Sequence, residues 1–161
     1  MTLVMPTDRR SPARSLLCAL AACSLAGCGP KEPAQVALEV TGDDLMKFSV
    51  ERLEVTAPAD VTVTLKNVGS MPKVSMGHNL VLLQRGVDAL EFASECLSAG
   101  AVVENEFLPE KVRGKALAWT KVLGPGEQDS FVVRIAEPGT YPYVCTFPGH
   151  FVNMKGVIVA R

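Results

Sequence analysis

The sequence predicts an all-β protein: eight short strands closing into a β-sandwich or a small Greek-key barrel, behind an N-terminal targeting segment. Three observations carry that expectation. Apolar side chains alternate with polar ones over short runs, as in Val36, Leu38 and Val40 or Val61, Val63 and Leu65. Turn residues fall between the runs, at Asn67-Val68-Gly69, Gly124-Pro125-Gly126, Glu137-Pro138-Gly139 and Pro148-Gly149. The composition is globular, 48% hydrophobic and 20% charged over 161 residues, which suits one domain with an appendage and excludes a disordered, collagen-like or coiled-coil chain.

The appendage comes first. Arg9, Arg10 and Arg14 precede the apolar run Ser15 to Ala26. As a helix that run would cover about 18 Å, short of the roughly 30 Å of a bilayer core. A cationic start and a small-residue end fit a signal peptide better than a buried helix. Leu25-Ala26-Gly27-Cys28 resembles the bacterial lipoprotein lipobox, which implies cleavage after Gly27 and lipidation of Cys28, and an ordinary signal peptide is the alternative. The twin arginines leave the export route open between the general and the twin-arginine pathways. Residues 28–34, with Gly29, Pro30 and Pro33, read as a short, semi-stiff tether. Residues 35–161 are then the folded domain, and no later run is long and apolar enough to span a bilayer.

Within that domain the strand candidates are Val36 to Val40, Met46 to Thr56, Val61 to Leu65, His78 to Gln84, Lys115 to Leu123, Phe131 to Ile135, Thr140 to Cys145 and Met154 to Ala160. Pro142 removes a ladder donor, which predicts an edge or bulged position. Residues 87–113 break the period-two pattern. Leu90, Ala93 and Leu97 fall at helical spacing, with Glu91 and Glu95 off that stripe and Gly100 available to stop the helix, so this stretch reads as an excursion containing one helix.

The net charge of −1 becomes −3 once Asp8 and the three early arginines are removed, so no basic field exists to hold nucleic acid. The whole chain has only two histidines, and both lie in informative places. Cys145-Thr146-Phe147-Pro148-Gly149-His150-Phe151-Val152-Asn153-Met154 gathers a thiol, an imidazole and a thioether around a Pro-Gly turn. Met76-Gly77-His78-Asn79 places the other imidazole at the head of a strand. Taken singly, Cys145 and Met154 would be core filler and each histidine an ordinary polar residue. Together, two imidazoles, a thiolate and a weak thioether make the ligand set of an electron-transfer copper site: sulfur suits Cu(I), imidazole suits both oxidation states. Zinc prefers four strong ligands, and a thioether is a poor fourth. No CxxC, HExxH, GxSxG or P-loop offers another chemistry.

Cys-Thr-Phe-Pro-Gly-His-x-x-x-Met with Met-Gly-His-Asn resembles the azurins of the cupredoxin family, and more distantly the plastocyanins and the membrane-tethered auracyanins. Asp44-Leu45-Met46-Lys47-Phe48, Met71-Pro72-Lys73 and Thr120-Lys121-Val122-Leu123-Gly124-Pro125-Gly126-Glu127 extend the resemblance across residues 35–161. It implies an eight-stranded Greek-key sandwich holding one type 1 copper near one end. By the same resemblance His78, Cys145 and His150 are equatorial ligands, Met154 the axial one, and the Gly77 carbonyl a second, long axial contact. The backbone N–H groups of Asn79 and Phe147 would hydrogen-bond the thiolate. Met71, Met76, Phe147, Pro148 and Phe151 would surround the exposed edge of His150 as an apolar docking patch. Three departures stand out. Leu80 occupies a position where azurins often carry a tryptophan. The disulfide of azurins is missing. Cys96 is left without a partner, as a buried thiol or the half of an intermolecular bridge.

The function expected from these residues is one-electron transfer outside the cytoplasm, by a monomer held at a bacterial membrane through Cys28, on its periplasmic or cell-surface face. It would meet redox partners transiently. With all four ligand positions filled, no open site remains for a substrate, so no enzyme is expected. A copper-handling protein that gives its metal away is the alternative. Such proteins use clustered, exposed Met and His, and the six Met of this chain are scattered.

Overall fold

In the computed structural model, residues 32–161 are described. The expected signal peptide (1–27), the lipidation site Cys28 and most of the tether lie outside them. Eight strands form among the described residues: β1 (Ala34–Gly42), β2 (Arg52–Val55), β3 (Ala59–Asn67), β4 (Val81–Leu83), β5 (Ala116–Trp119), β6 (Gln128–Ile135), β7 (Gly139–Val144) and β8 (Lys155–Ala160). They make a two-sheet sandwich, three strands in the order β1-β3-β6 and five in the order β2-β8-β7-β4-β5. β1 runs parallel to β3 and β2 parallel to β8; the remaining pairs are antiparallel. Strand β1 starts at Ala34, so the last residue expected of the tether is already paired in the sheet.

Alternation explains β3. Ala59, Val61, Val63 and Leu65 are fully buried, while Thr62 and Thr64 between them face outward and are partly covered. Strand β4 shows why its stretch does not alternate. Leu80 and Leu82 enter the main core between the sheets, whereas Val81 and Leu83 join a second, smaller core with Phe92, Ala93, Cys96, Leu108 and Val144. A strand covered on both faces reads as a continuous apolar run.

The second core lies under the excursion, where helix α2 (Ala89–Ser98) packs against β7. Asp88 caps it by accepting a hydrogen bond from the Glu91 N–H at 2.9 Å. The buried stripe differs from the expected one. Phe92, Ala93 and Cys96 face the sheet, and Leu90 and Leu97 are 41% and 39% exposed. Both stripes have helical spacing and share Ala93; burying Phe92 removes more apolar surface than burying either leucine, which rotates the helix that way. Pro142 is a second correction. Strand β7 is interior to its sheet, not an edge. Pro142 pairs with Val157 of β8, and β4 has already ended its pairing at Tyr143, so the missing donor falls just past the end of the β4 ladder.

Three strand candidates, Met46 to Thr56, His78 to Gln84 and Lys115 to Leu123, prove shorter than expected, and side chains replace part of the ladder. The Asp43 carboxylate accepts from the Leu45 and Lys47 amides and turns the chain, so from the Met46 to Thr56 run only Arg52–Val55 forms a strand, with Phe48 making one isolated bridge to Gly42. After Trp119, the Thr120 hydroxyl accepts the Leu80 N–H at 3.0 Å. Pairing resumes as one isolated bridge between His78 and Leu123.

Candidate metal centre

The ends of several elements meet at one end of the sandwich. A one-turn helix, α1 (Lys73–Met76), delivers Gly77 in extended conformation and then His78. His78 is fixed by two backbone bonds to Leu123, donating at 3.1 Å and accepting at 2.7 Å. Cys145 follows the last residue of β7, and its N–H donates to the Met154 carbonyl at 2.9 Å. Between them, Gly149 takes φ 84°, a left-handed conformation cheap only for glycine, and turns the chain into the His150–Val152 3₁₀ turn. The Met154 N–H closes the loop onto the His150 carbonyl at 2.8 Å.

This folding brings His78, Cys145 and His150 together, all buried, with donor atoms within 4.8 Å of one another. The two Nδ1 atoms stand 3.2 Å apart, and the Cys145 sulfur lies 3.8 Å from Nδ1 of His150. Met154 is fully buried beside them. A Cβ on Gly42 would come within 2.9 Å of His78 Cδ2 and 3.1 Å of Met154 Cε, so the bare backbone there is what lets the imidazole and thioether converge. Gly77 is equally confined: a Cβ would stand 2.6 Å from Val122 Cγ1 and 2.7 Å from the Lys73 carbonyl.

The electrostatics suit a cation. Burial pushes the His150 pKa down to about 4, with His78 beside it lowering it further. Burial likewise lowers His78, against the backbone and charge of Asp43 and the charge of Asp44. Its Nε2 is the one buried side-chain nitrogen or oxygen among the described residues without a hydrogen-bond partner. The Cys145 thiol is pushed up to about 12 by burial, opposed by the amides of Asn79 and Phe147 at its sulfur. Neutral imidazoles and a thiol, dry and convergent, have no better use for their lone pairs than a metal ion, which would displace the thiol proton. Two borderline imidazole nitrogens with a soft thiolate and thioether make a donor set matched to copper.

Around the donors, Asn79 ties the two segments together. Its amide donates to Thr146 Oγ1 at 2.8 Å and to the Glu106 carbonyl at 2.9 Å, and its Oδ1 accepts the Thr146 N–H at 2.8 Å. The rings of Phe107 and Phe147 are 4.7 Å apart, and those of Phe147 and His150 4.5 Å.

The expected docking patch is corrected in part. Met71 and Pro148 are exposed and Met76 is half-buried, but Phe147, at 7% exposure, sits inside between Phe107 and His150. Phe151 is half-buried against the second core. His150 itself shows only 3% of its surface. Val74, 85% exposed on α1, and Val152, 56% exposed beside His150, were not foreseen. Nor were Gly42, Glu106 and Phe107. A glycine ending an alternating strand was a signal for the first, and nothing local marked the other two. Cys96 is a buried free thiol, raised to about 12 by burial and by Glu95, far from ionising at neutral pH.

A family model described as copper binding proteins, plastocyanin/azurin family, matches residues 34–161. Azurin-2 of Alcaligenes xylosoxydans xylosoxydans is 37% identical over 129 residues, covering 78% of this chain and 97% of its own length. Azurin of Bordetella pertussis is 35% identical over 133 residues, covering 80% and 86%. Among solved structures, an azurin of Methylomonas sp. strain J superposes with a TM-score of 0.69 at 32% identity, covering 78% of this chain and 98% of that one. The auracyanin of Roseiflexus castenholzii superposes at 0.68 with 30% identity, covering 80% and 98%.

Proposed function

Because the chain belongs to the plastocyanin/azurin family of copper-binding proteins, we propose that it is a one-electron carrier working outside the cytoplasm as a lipid-tethered monomer, with its copper held by His78, Cys145, His150 and Met154. Bound copper supplies the chemistry, cycling between Cu(I) and Cu(II). The observation that carries the reading is the convergence of three buried donors within 4.8 Å. His78 and His150 would offer Nδ1, Cys145 its thiolate, and Met154 a weaker thioether. The Gly77 carbonyl would be a further, weak contact. The amides of Asn79 and Phe147 withdraw charge from the sulfur, which favours the reduced state. Burial of all four side chains keeps water and substrates away. That suits a carrier, which must change little when the electron arrives, and weighs against a protein that hands its copper on.

Residues 1–27 are read as a lipoprotein signal peptide, Cys28 as the anchored residue and the chain to Ala34 as the tether, which puts the domain on the periplasmic or cell-surface face of a bacterial membrane. No helix among the described residues is long and apolar enough to cross a membrane. One acyl chain binds only marginally, at about 0.8 kcal/mol per buried CH₂, so a triacylated cysteine is the stable form of anchor.

The copper-loaded protein should be intensely blue, from charge transfer out of a short thiolate bond, and should cycle reversibly. Cys145→Ser should abolish the colour and Cys96→Ser should keep it; colour surviving in the first variant overturns the ligand assignment. Cys28→Ala should block lipidation and lipoprotein-type processing, and any domain released by other cleavage should be soluble and still blue. Wild-type protein lacking lipid on residue 28 by mass spectrometry would refute the anchor and leave the carrier reading standing.

A further inference from the structure

We propose that Glu106 and Phe107, at the far end of the helical excursion, are positioning residues that brace the copper site from outside its donor set. The proposal rests on the reading that copper is held by His78, Cys145, His150 and Met154. Neither residue contributes a donor, and both take a conformation that needs a reason. Glu106 has φ 56° and Phe107 φ 54°, two consecutive left-handed residues, one of them bulky and neither a glycine. Such conformations persist where the surroundings over-determine them.

Part of the reason is local, since the Glu106 N–H donates to the Val103 carbonyl at 3.1 Å and the Phe107 N–H to the Val102 carbonyl at 2.9 Å, closing the 3₁₀ turn before them; the rest comes from the site. The Glu106 carbonyl accepts the Asn79 amide at 2.9 Å, and its carboxylate accepts the Val122 N–H at 2.6 Å. Val122 adjoins Leu123, whose backbone exchanges both hydrogen bonds with His78. Asn79 follows His78 and is bonded twice to Thr146, the residue after Cys145. One residue thus holds the neighbour that follows His78, the strand that pairs with His78 and, through Asn79, the exit of Cys145. Phe107 does the same for the other imidazole. Its ring packs on Phe147 at 4.7 Å, and Phe147 packs on His150 at 4.5 Å with the ring planes 30° apart. The next residue, Leu108, is already buried in the second core. The left-handed pair is therefore where the excursion turns from the metal centre to its own core.

The physical consequence is rigidity. Holding the Asn79 side chain fixes the Asn79 backbone, whose N–H bears on the Cys145 sulfur, and the His150 ring orientation would set its overlap with a bound metal. Loosening either lets the site relax differently in its two oxidation states, which slows transfer. A weaker amide contact leaves more charge on sulfur, which favours Cu(II) and lowers the potential.

The test compares Phe107→Ala, Phe107→Tyr, Glu106→Ala and Glu106→Gln with Phe92→Ala, which empties the second core without touching any residue of the brace. Phe107→Ala and Glu106→Ala should shift the Cu(II) resonance spectrum and charge-transfer band, lower the reduction potential, weaken copper retention by roughly tenfold and slow electron self-exchange. Phe107→Tyr and Glu106→Gln, which keep the ring and the acceptor, should restore wild-type values. Phe92→Ala should lose stability with spectrum and potential unmoved. In metal-free protein, the Thr146 amide should exchange with solvent faster in the two alanine variants than in Phe92→Ala. Alanine variants matching wild type in spectrum, potential and amide exchange, or Phe92→Ala moving them equally, would overturn the brace. If Phe107→Ala fails to fold, the Glu106 pair decides. Wild-type protein that took up no copper would sink the functional reading instead, and amide exchange would still test the brace.

Discussion

Cys96 and Cys145 share one feature and differ in their surroundings. Burial drives both thiols to about 12. Around Cys145 stand two imidazoles and two backbone amides, so a metal can replace its proton; around Cys96 stand Phe92, Ala93 and apolar strand residues, and Glu95 pushes its pKa further up. Neighbours, not burial, separate a ligand from a filler. At the same scale, Gly42 is required by space alone. Gly42→Ala should drive a methyl into His78 and Met154, costing about 1–3 kcal/mol as overpacking does. Urea unfolding of the metal-free form and the Cu(II) resonance spectrum should both change. A variant with wild-type stability and spectrum would show that the site has slack there. The donors were legible in the sequence because Cys, Met and only two histidines occur in a tight pattern. Gly42 was not, since its role depends on side chains 36 and 112 positions away.

Among the elements, α2 and β4 show how a second core adds to the sandwich. Phe92 is 1% exposed at the centre of that core, so Phe92→Ala should cost about 3–5 kcal/mol. Leu90→Ala on the outward face should fall within about 0.5 kcal/mol of wild type. Equal losses in chemical denaturation would mean the helix packs by the stripe the sequence suggested. That stripe failed because a short helix carries two overlapping apolar faces, and the choice between them is made by the sheet beneath. Pro142 failed as an edge marker for a related reason. Where a ladder ends depends on the partner strand, and β4 is only three residues long.

For the whole molecule, the ion pairs, such as Arg85 with Glu137 and Lys115 with Glu95, lie largely at the surface, where each contributes about 0–1 kcal/mol. Cohesion therefore rests on the two apolar cores. The surface nearest the centre is apolar, with Met71, Val74 and half-buried Met76 on the α1 side and Pro148 and Val152 on the His150 side. If partners dock there, transfer rates should vary little with ionic strength, unlike charge-steered encounter. Met76→Lys should slow self-exchange by desolvation and repulsion while leaving the visible spectrum nearly unchanged. Self-exchange equal to wild type at low salt would move the port elsewhere.

The sequence by itself determined the strand count, the turns, the place of the excursion and the candidate donors His78, Cys145 and His150 that converge, because each of these is written in a local period or in residues whose chemistry has few alternatives. Only the tertiary structure decided which face of α2 is buried, that Phe147 lies inside instead of at the surface, that Gly42 must be bare, and that Glu106 and Phe107 reach the centre. Each of those depends on volume and hydrogen bonding supplied by segments distant along the chain, and close packing settles them only once all the segments are in place.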